Sequence, residues 1–112
     1  MSGLDIRAPW QQLDSEHVAA LGGHMGVYEI ASANGETALI GFAGGRSLFG
    51  LRGELHDRLA EADRAGSTFR CEITTSYLSR YKELLMVHVA RHGALPPENL
   101  PDAPALGRLS PA

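Results

Sequence analysis

Apolar and polar residues alternate over two short stretches near the middle of the chain, residues 26–32 and 36–43. Asn34-Gly35 lies between them, and Asn-Gly between two alternating runs is typical of a β-hairpin turn. Neither stretch has a wholly polar face. The pattern therefore predicts a hairpin near the centre of a sheet that is covered by helices on both sides.

Apolar residues recur at helical spacing in three further segments, residues 14–21, 50–64 and 77–92. Asp14 can cap the first helix, and glycines follow the end of each segment. A third strand is expected over residues 67–75, where alternation returns. The core stripe predicted for the last helix consists of Leu78, Tyr81, Leu85, Met86 and Val89.

The resulting order of elements, α-β-β-α-β-α, predicts an α+β fold. Residues 1–99 are expected to form one domain that includes an N-terminal arm. Five of the six prolines lie after Leu95, so regular structure is not expected there. Residues 100–112 are predicted to be a proline-rich tail.

Composition limits the classes of protein to which the chain can belong. Its 112 residues, net charge of -3 and single cysteine, Cys71, fit one domain without an internal disulfide and predict a reducing, cytoplasmic location. No apolar run is long enough to span a bilayer, and no secretory signal is recognised. The acidic balance disfavours tight non-specific binding to nucleic acid.

The basic residues nevertheless favour a local anion site. All ten are arginine except Lys82, and the arginine guanidinium can bind phosphate or carboxylate through two hydrogen bonds. The loop after the hairpin reads Gly44-Gly45-Arg46-Ser47. Its backbone N–H groups beside the Arg46 side chain predict a cradle for an anionic substrate.

The hairpin carries Gly-Val-Tyr, ending at Tyr28, and Leu-Ile-Gly, beginning at Leu39. These tripeptides resemble those after which the GIY-YIG nuclease superfamily is named, although a leucine stands at the second tyrosine position. The family's helical arginine, with a histidine four residues later, is matched by Arg52 and His56. The resemblance covers about residues 24–99 and implies a small three-stranded antiparallel sheet flanked by helices.

The resemblance also implies a function, metal-dependent hydrolysis of phosphodiester bonds in nucleic acid. Mg²⁺ or Mn²⁺ would be held through a helical glutamate, matched by Glu83, although a second alignment places the metal ligand nearer His88. Asn99 matches a family asparagine that follows a proline. The implied catalytic residues are Tyr28, Arg52 and His56, and the substrate contacts are Arg46 and Asn99.

Leu39 leaves two alternatives to the nuclease open, because it removes one of two hydroxyl groups from the site. The first is a binding or interaction module without catalysis. The second is an enzyme for a small anionic ligand in the same polar cleft, formed by Tyr28, Arg46, Arg52 and His56. Each of these residues also has an ordinary structural interpretation, since Tyr28 suits a core and Arg52 a solvated helix face.

Overall fold

One antiparallel sheet of four strands forms the centre of the computed structural model, which describes residues 5–61 and 64–102. In chain order the strands are β1 (Gln11–Gln12), β2 (Gly26–Ala31), β3 (Thr37–Ala43) and β4 (Thr68–Ile73). Their spatial order is β1-β4-β2-β3. β2 is therefore paired on both sides, with β3 and with β4.

Within the described residues, three α-helices and one 3-10 helix accompany the sheet. They are α1 (Ser15–Ala19), α2 (Gly50–Leu59), α3 (Tyr77–His92) and the 3-10 helix Pro97–Asp102. The α+β class and the antiparallel pairing are confirmed. None of the helices in the described part of the chain combines the length and apolar character needed to cross a membrane.

The predicted count of three strands is wrong, because Gln11–Gln12 adds a short fourth strand at the edge of β4. Gln11 lies opposite Phe69 and Gln12 opposite Thr68. Just after the strand, the N–H of Leu13 donates to the carbonyl of Ser67 at 3.0 Å. Two consecutive glutamines have no apolar alternation. Backbone pairing alone forms this strand, so a pattern of side chains could not predict it.

The hairpin follows the prediction closely. Val27 pairs with Phe42 and Tyr28 with Gly41 across β2 and β3, and Gly35 occupies the turn with a φ of 88°. Such a positive φ suits glycine because it has no Cβ to clash with the backbone. The register shifts between Ile30 and Ala31, and beyond this irregularity Tyr28 of the first tripeptide lies opposite Gly41 of the second.

Each face of the sheet buries its own group of apolar side chains. On one face, Tyr28 and Leu39 pack with Leu51 and Leu55 of α2. On the other face, Val27 packs with residues of α3. The expected helical cover on both sides is confirmed, and it places α2 and α3 on opposite faces of the sheet.

The predicted core stripe of α3 is partly wrong. Tyr81 and Leu85 are buried, whereas three members of the predicted stripe are 39 to 54% exposed, namely Leu78, Met86 and Val89. Phe42 on β3 packs against both Tyr77 and Tyr81, with ring centroids 5.6 and 4.9 Å away. These ring contacts fix the rotation of the helix, which its own periodicity cannot do.

The proline-rich segment is also more regular than predicted. Pro97–Asp102 forms a 3-10 helix rather than an extended chain, which is compatible with the fixed φ of proline in a first helical turn. Residues 103–112, which make up most of the predicted tail, lie outside the described residues.

Asn99 connects this 3-10 helix to the sheet. Its side chain is fully buried. Its Oδ1 accepts from the Ile40 N–H and its Nδ2 donates to the Ile40 carbonyl, both at 2.8 Å. β3 has β2 on one side only, so the amide replaces part of a missing neighbouring strand. Both polar atoms are used on backbone, which places Asn99 in a structural role and not at a substrate.

We expect Asn99→Ala to lower the free energy of unfolding by about 2 to 4 kcal/mol, because two buried backbone groups of Ile40 lose their partners. Asn34→Ala is the matched control, since its amide accepts one hydrogen bond in an exposed turn and should cost less than about 1 kcal/mol. Urea unfolding followed by circular dichroism measures both values. Equal losses in the two variants would contradict the role assigned to Asn99.

Candidate functional site

Tyr28 lies in the core between the sheet and α2. Its side chain is 3% exposed, and its ring covers Gly41 so closely that a Cβ added there would lie 2.3 Å from Cζ. Burial raises the pKa of the Tyr28 phenol far above its usual value. The phenol therefore stays protonated near neutral pH and does not present a base to solvent.

Leu39 belongs to the same group of buried side chains. It lies opposite Ile30 on β2 and is 8% exposed. Its hydrocarbon side chain packs with Tyr28, at the place where the resemblance would put a second phenol. This corner of the sheet is consequently a packed apolar region with one buried hydroxyl.

Arg52 and His56 lie together on the outer face of α2, one helical turn apart. Both side chains line a cleft of about 530 Å³ between α1 and α2. Their outward direction follows from packing, because Leu51 and Leu55 occupy the inner face. The structure thus brings two of the three predicted catalytic residues into one cleft, and leaves Tyr28 in the core behind it.

The charge of Arg52 is available to a ligand. Among the described residues, the arginines at 58, 64, 70, 80 and 91 form salt bridges with carboxylates, and Arg52 forms none. His56 lies 3.9 Å from Asp57, but both side chains are more than 70% exposed, so water screens this pair.

α1 forms the opposite wall of the cleft. It begins at Asp14, whose Oδ1 accepts from the N–H of His17 at 2.8 Å, and this hydrogen bond lowers the pKa of the Asp14 carboxyl. The short helix contributes Ser15, Val18 and Ala19 to the lining. The α1 side of the cleft is therefore mostly apolar, with Ser15 its one polar residue in the lining, and the charged groups and the imidazole lie on the α2 side.

Leu48 and Phe49 lie at the remaining side of the cleft, and neither was among the residues predicted to be functional. Their side chains are 79% and 68% exposed. Phe49 has a φ of 63°, a left-handed conformation that costs a residue with a Cβ about 1 to 2 kcal/mol. The sequence signal that could have indicated them is a pair of apolar residues in a glycine-rich loop, directly before Gly50.

Arg46 lies in the loop but does not line this cleft. The N–H of Gly44 donates to Ser47 Oγ at 3.0 Å, and the N–H of Gly45 donates to the Tyr77 hydroxyl at 3.2 Å. The Ser47 N–H donates to the Gly44 carbonyl. These backbone groups have acceptors within the protein, so the predicted anion cradle is closed in this conformation.

Glu83 lies on α3, on the other side of the sheet from Arg52. Its carboxylate accepts a hydrogen bond from Arg80, which also pairs with Glu72. A guanidinium in this position competes with a cation for the carboxylate. No group of three or more His, Cys, Asp or Glu side chains suited to a metal ion occurs among the described residues, so the residues around Glu83 do not fit a metal centre.

His88 is likewise on α3, away from Arg52 and His56. Its Nδ1 donates to the carbonyl of Ala94 at 2.9 Å, its ring packs on that of His92, and burial lowers its pKa. Both histidines line a separate cleft with Thr37, also of about 530 Å³. Neither Glu83 nor His88, the two predicted metal ligands, therefore lies beside Arg52 and His56.

The chain belongs to the family described as Domain of unknown function (DUF7508), which matches residues 4–91. The match spans the four strands, α1, α2 and nearly all of α3. No curated protein and no solved structure matched the chain.

We expect Gly41→Ala to lower the free energy of unfolding by about 2 to 3 kcal/mol, because the new methyl group would overlap the Tyr28 ring. Tyr28→Leu in the same chain should restore part of the loss by removing that ring. Tyr28→Phe removes the hydroxyl but keeps the ring, whose Cζ is the nearest atom, and should restore less. Thermal unfolding of the wild type, the three single variants and the two double variants measures the coupling, and strictly additive effects would contradict this contact.

Proposed function

We propose that the α1–α2 cleft binds the phosphate groups of a nucleic acid, and that the chain acts as a nucleic-acid-binding module. The observation that carries the proposal is the pair formed by Arg52 and His56, which line one cleft from successive turns of α2. Arginine binds phosphate oxygens through a planar fork of donors. A neighbouring imidazole adds a further hydrogen-bond donor.

The surroundings of this pair support a ligand that is only partly polar. Val18, Ala19 and Phe49 share the lining with Arg52, so a phosphate could contact the α2 wall while a less polar group contacts the rest. The volume of about 530 Å³ falls within the range of small-molecule sites in proteins. A short segment of nucleic acid, rather than a long duplex, matches these dimensions.

Charge sets an upper limit on the strength of binding. The chain has a net charge of -3, and Asp57 lies in the cleft beside His56, so the field of the whole molecule does not attract polyanions. Binding should consequently depend on the few cationic groups of the cleft. Its salt dependence should correspond to about one or two phosphate contacts.

We expect Arg52→Ala to weaken binding of a short single-stranded oligonucleotide about tenfold, which corresponds to ~1.4 kcal/mol. The slope of log K against log salt should also fall by about 0.7, the contribution of one phosphate contact. Fluorescence anisotropy over a salt series measures both quantities. Arg7→Ala removes an exposed arginine from the N-terminal arm and serves as the matched control.

Two results would contradict the proposed binding. One is an equal loss of affinity in Arg52→Ala and Arg7→Ala, which would indicate general electrostatic attraction. The other is an unchanged affinity in Arg52→Ala. Circular dichroism of each variant establishes that the fold is intact before binding is compared.

Phosphodiester hydrolysis in the same cleft is the second candidate function, and the spacing of Arg52 and His56 favours it. A guanidinium can stabilise negative charge that develops on a phosphate, and an imidazole can transfer a proton to or from the reacting oxygens. These are two of the groups that such a reaction needs. Tyr28 is less well placed because its phenol is buried.

If the cleft is hydrolytic, labelled oligonucleotides should be cleaved by the wild type and not by Arg52→Ala or His56→Gln. Tyr28→Phe should retain the activity, because its phenol is buried and its pKa is raised. Parallel reactions with Mg²⁺, Mn²⁺ or a chelator, and with Glu83→Gln, test the metal requirement. An absence of cleavage in every reaction would remove hydrolysis and leave the binding proposal standing.

A further inference from the structure

We propose that Phe49 is a stacking platform for a base of single-stranded nucleic acid whose phosphate is bound by Arg52 and His56. The inference rests on the proposed function and specifies the ligand class of that same cleft. Phe49, Arg52 and His56 all contribute to the lining. The juxtaposition offers one contact to a base and another to the backbone of the same strand.

The exposure and the backbone conformation of Phe49 both suit a residue that contacts a ligand. An exposed phenylalanine at φ 63° combines two unfavourable features, since the ring faces water and the Cβ strains the backbone. A glycine or asparagine would relieve the strain at this position. Strain of this kind is often found at ligand-binding positions, where the surrounding structure holds it in place.

The surrounding structure does hold the segment. Gly50 also has a positive φ, 55°, and a Cβ added there would lie 2.4 Å from the backbone of Gly23. The N–H of Leu51 donates to the His24 carbonyl at 2.8 Å. These close backbone contacts fix the direction of the chain at Phe49, so the ring is presented without the cost of ordering a mobile loop on binding.

The chemistry of the cleft distinguishes a single strand from a duplex. Bases in a duplex stack on one another, whereas the faces of unpaired bases are available to an aromatic side chain. Stacking on an aromatic ring depends little on the identity of the base and adds to phosphate contacts. A ring beside Arg52 therefore fits a single strand with little sequence preference.

The test compares binding of an oligothymidylate of about eight nucleotides with binding of the same strand lacking its bases, by fluorescence anisotropy with the full chain. Phe49→Asn removes the ring while asparagine tolerates the left-handed backbone. Leu48→Asn removes the neighbouring apolar side chain, which is even more exposed but has no aromatic ring, and is the matched control.

We expect Phe49→Asn to weaken binding of the base-bearing strand about five- to a hundredfold and to leave binding of the abasic strand unchanged. Leu48→Asn should have a much smaller effect on both. The melting temperature of Phe49→Asn should equal or exceed that of the wild type, because the strain at residue 49 is relieved. Loss of affinity without loss of stability excludes unfolding as its cause.

Three results would overturn the inference. The first is an equal affinity of the wild type for the base-bearing and abasic strands. The second is an equal loss of affinity in Phe49→Asn and Leu48→Asn. The third is a dimer in sedimentation equilibrium that Phe49→Asn dissociates, because the ring would then contact a second copy of the chain. The first leaves the proposed function intact if Arg52→Ala still weakens both strands. An unchanged affinity in Arg52→Ala would instead overturn the proposed function itself.

Discussion

The burial of β2 on both faces and along both edges is the constraint on which the rest of this structure depends. All six of its residues, Gly26–Ala31, are buried, and hydrogen bonds to β3 and β4 satisfy its backbone. A strand in this position has to be apolar on both sides or to have partners for each polar group. Glu29 is the charged residue of this strand, and its carboxylate has such partners: it accepts hydrogen bonds from Thr37 and Arg70 at 2.6 and 2.9 Å.

The same constraint determines where functional groups can lie. Because Tyr28 occupies the space above Gly41 and contacts the core under α2, this face of the sheet is filled by packed side chains at that position. Leu51 and Leu55 seal this core from the α2 side, and the residues on the opposite face of the helix face solvent. On this side of the sheet, the polar groups that a ligand can reach therefore lie on the exposed wall of α2 and not on the strands.

Ion pairs occupy five of the described arginines, whereas Arg52, like Arg7 and Arg46, forms none. Arg64 and Arg80 each form salt bridges with two carboxylates. Arg70 pairs with Glu29, and its guanidinium lies 4.3 Å from the centre of the Trp10 ring. Arg91 pairs with Asp5. These guanidiniums connect elements that are distant in sequence. Arg52 makes no such contact within residues 5–61 and 64–102, so its hydrogen-bonding capacity remains free for a ligand. A composition rich in arginine thus reflects mostly structural ion pairs.

The sequence by itself determined the local elements, because the hairpin, the helix Tyr77–His92 and the capped start of α1 depend on turn chemistry and periodicity within a few residues. It also predicted that Arg52 and His56 share a helical face, since this follows from their spacing.

Only the tertiary structure decided that Gln11–Gln12 pairs with β4, that Asn99 bonds to Ile40, and that Glu83 lies across the sheet from Arg52. The exposure of Phe49 in a left-handed conformation was likewise a tertiary outcome. Each of these depends on contacts between residues far apart in the chain, for which the free energy comes from packing and backbone pairing that no local pattern encodes.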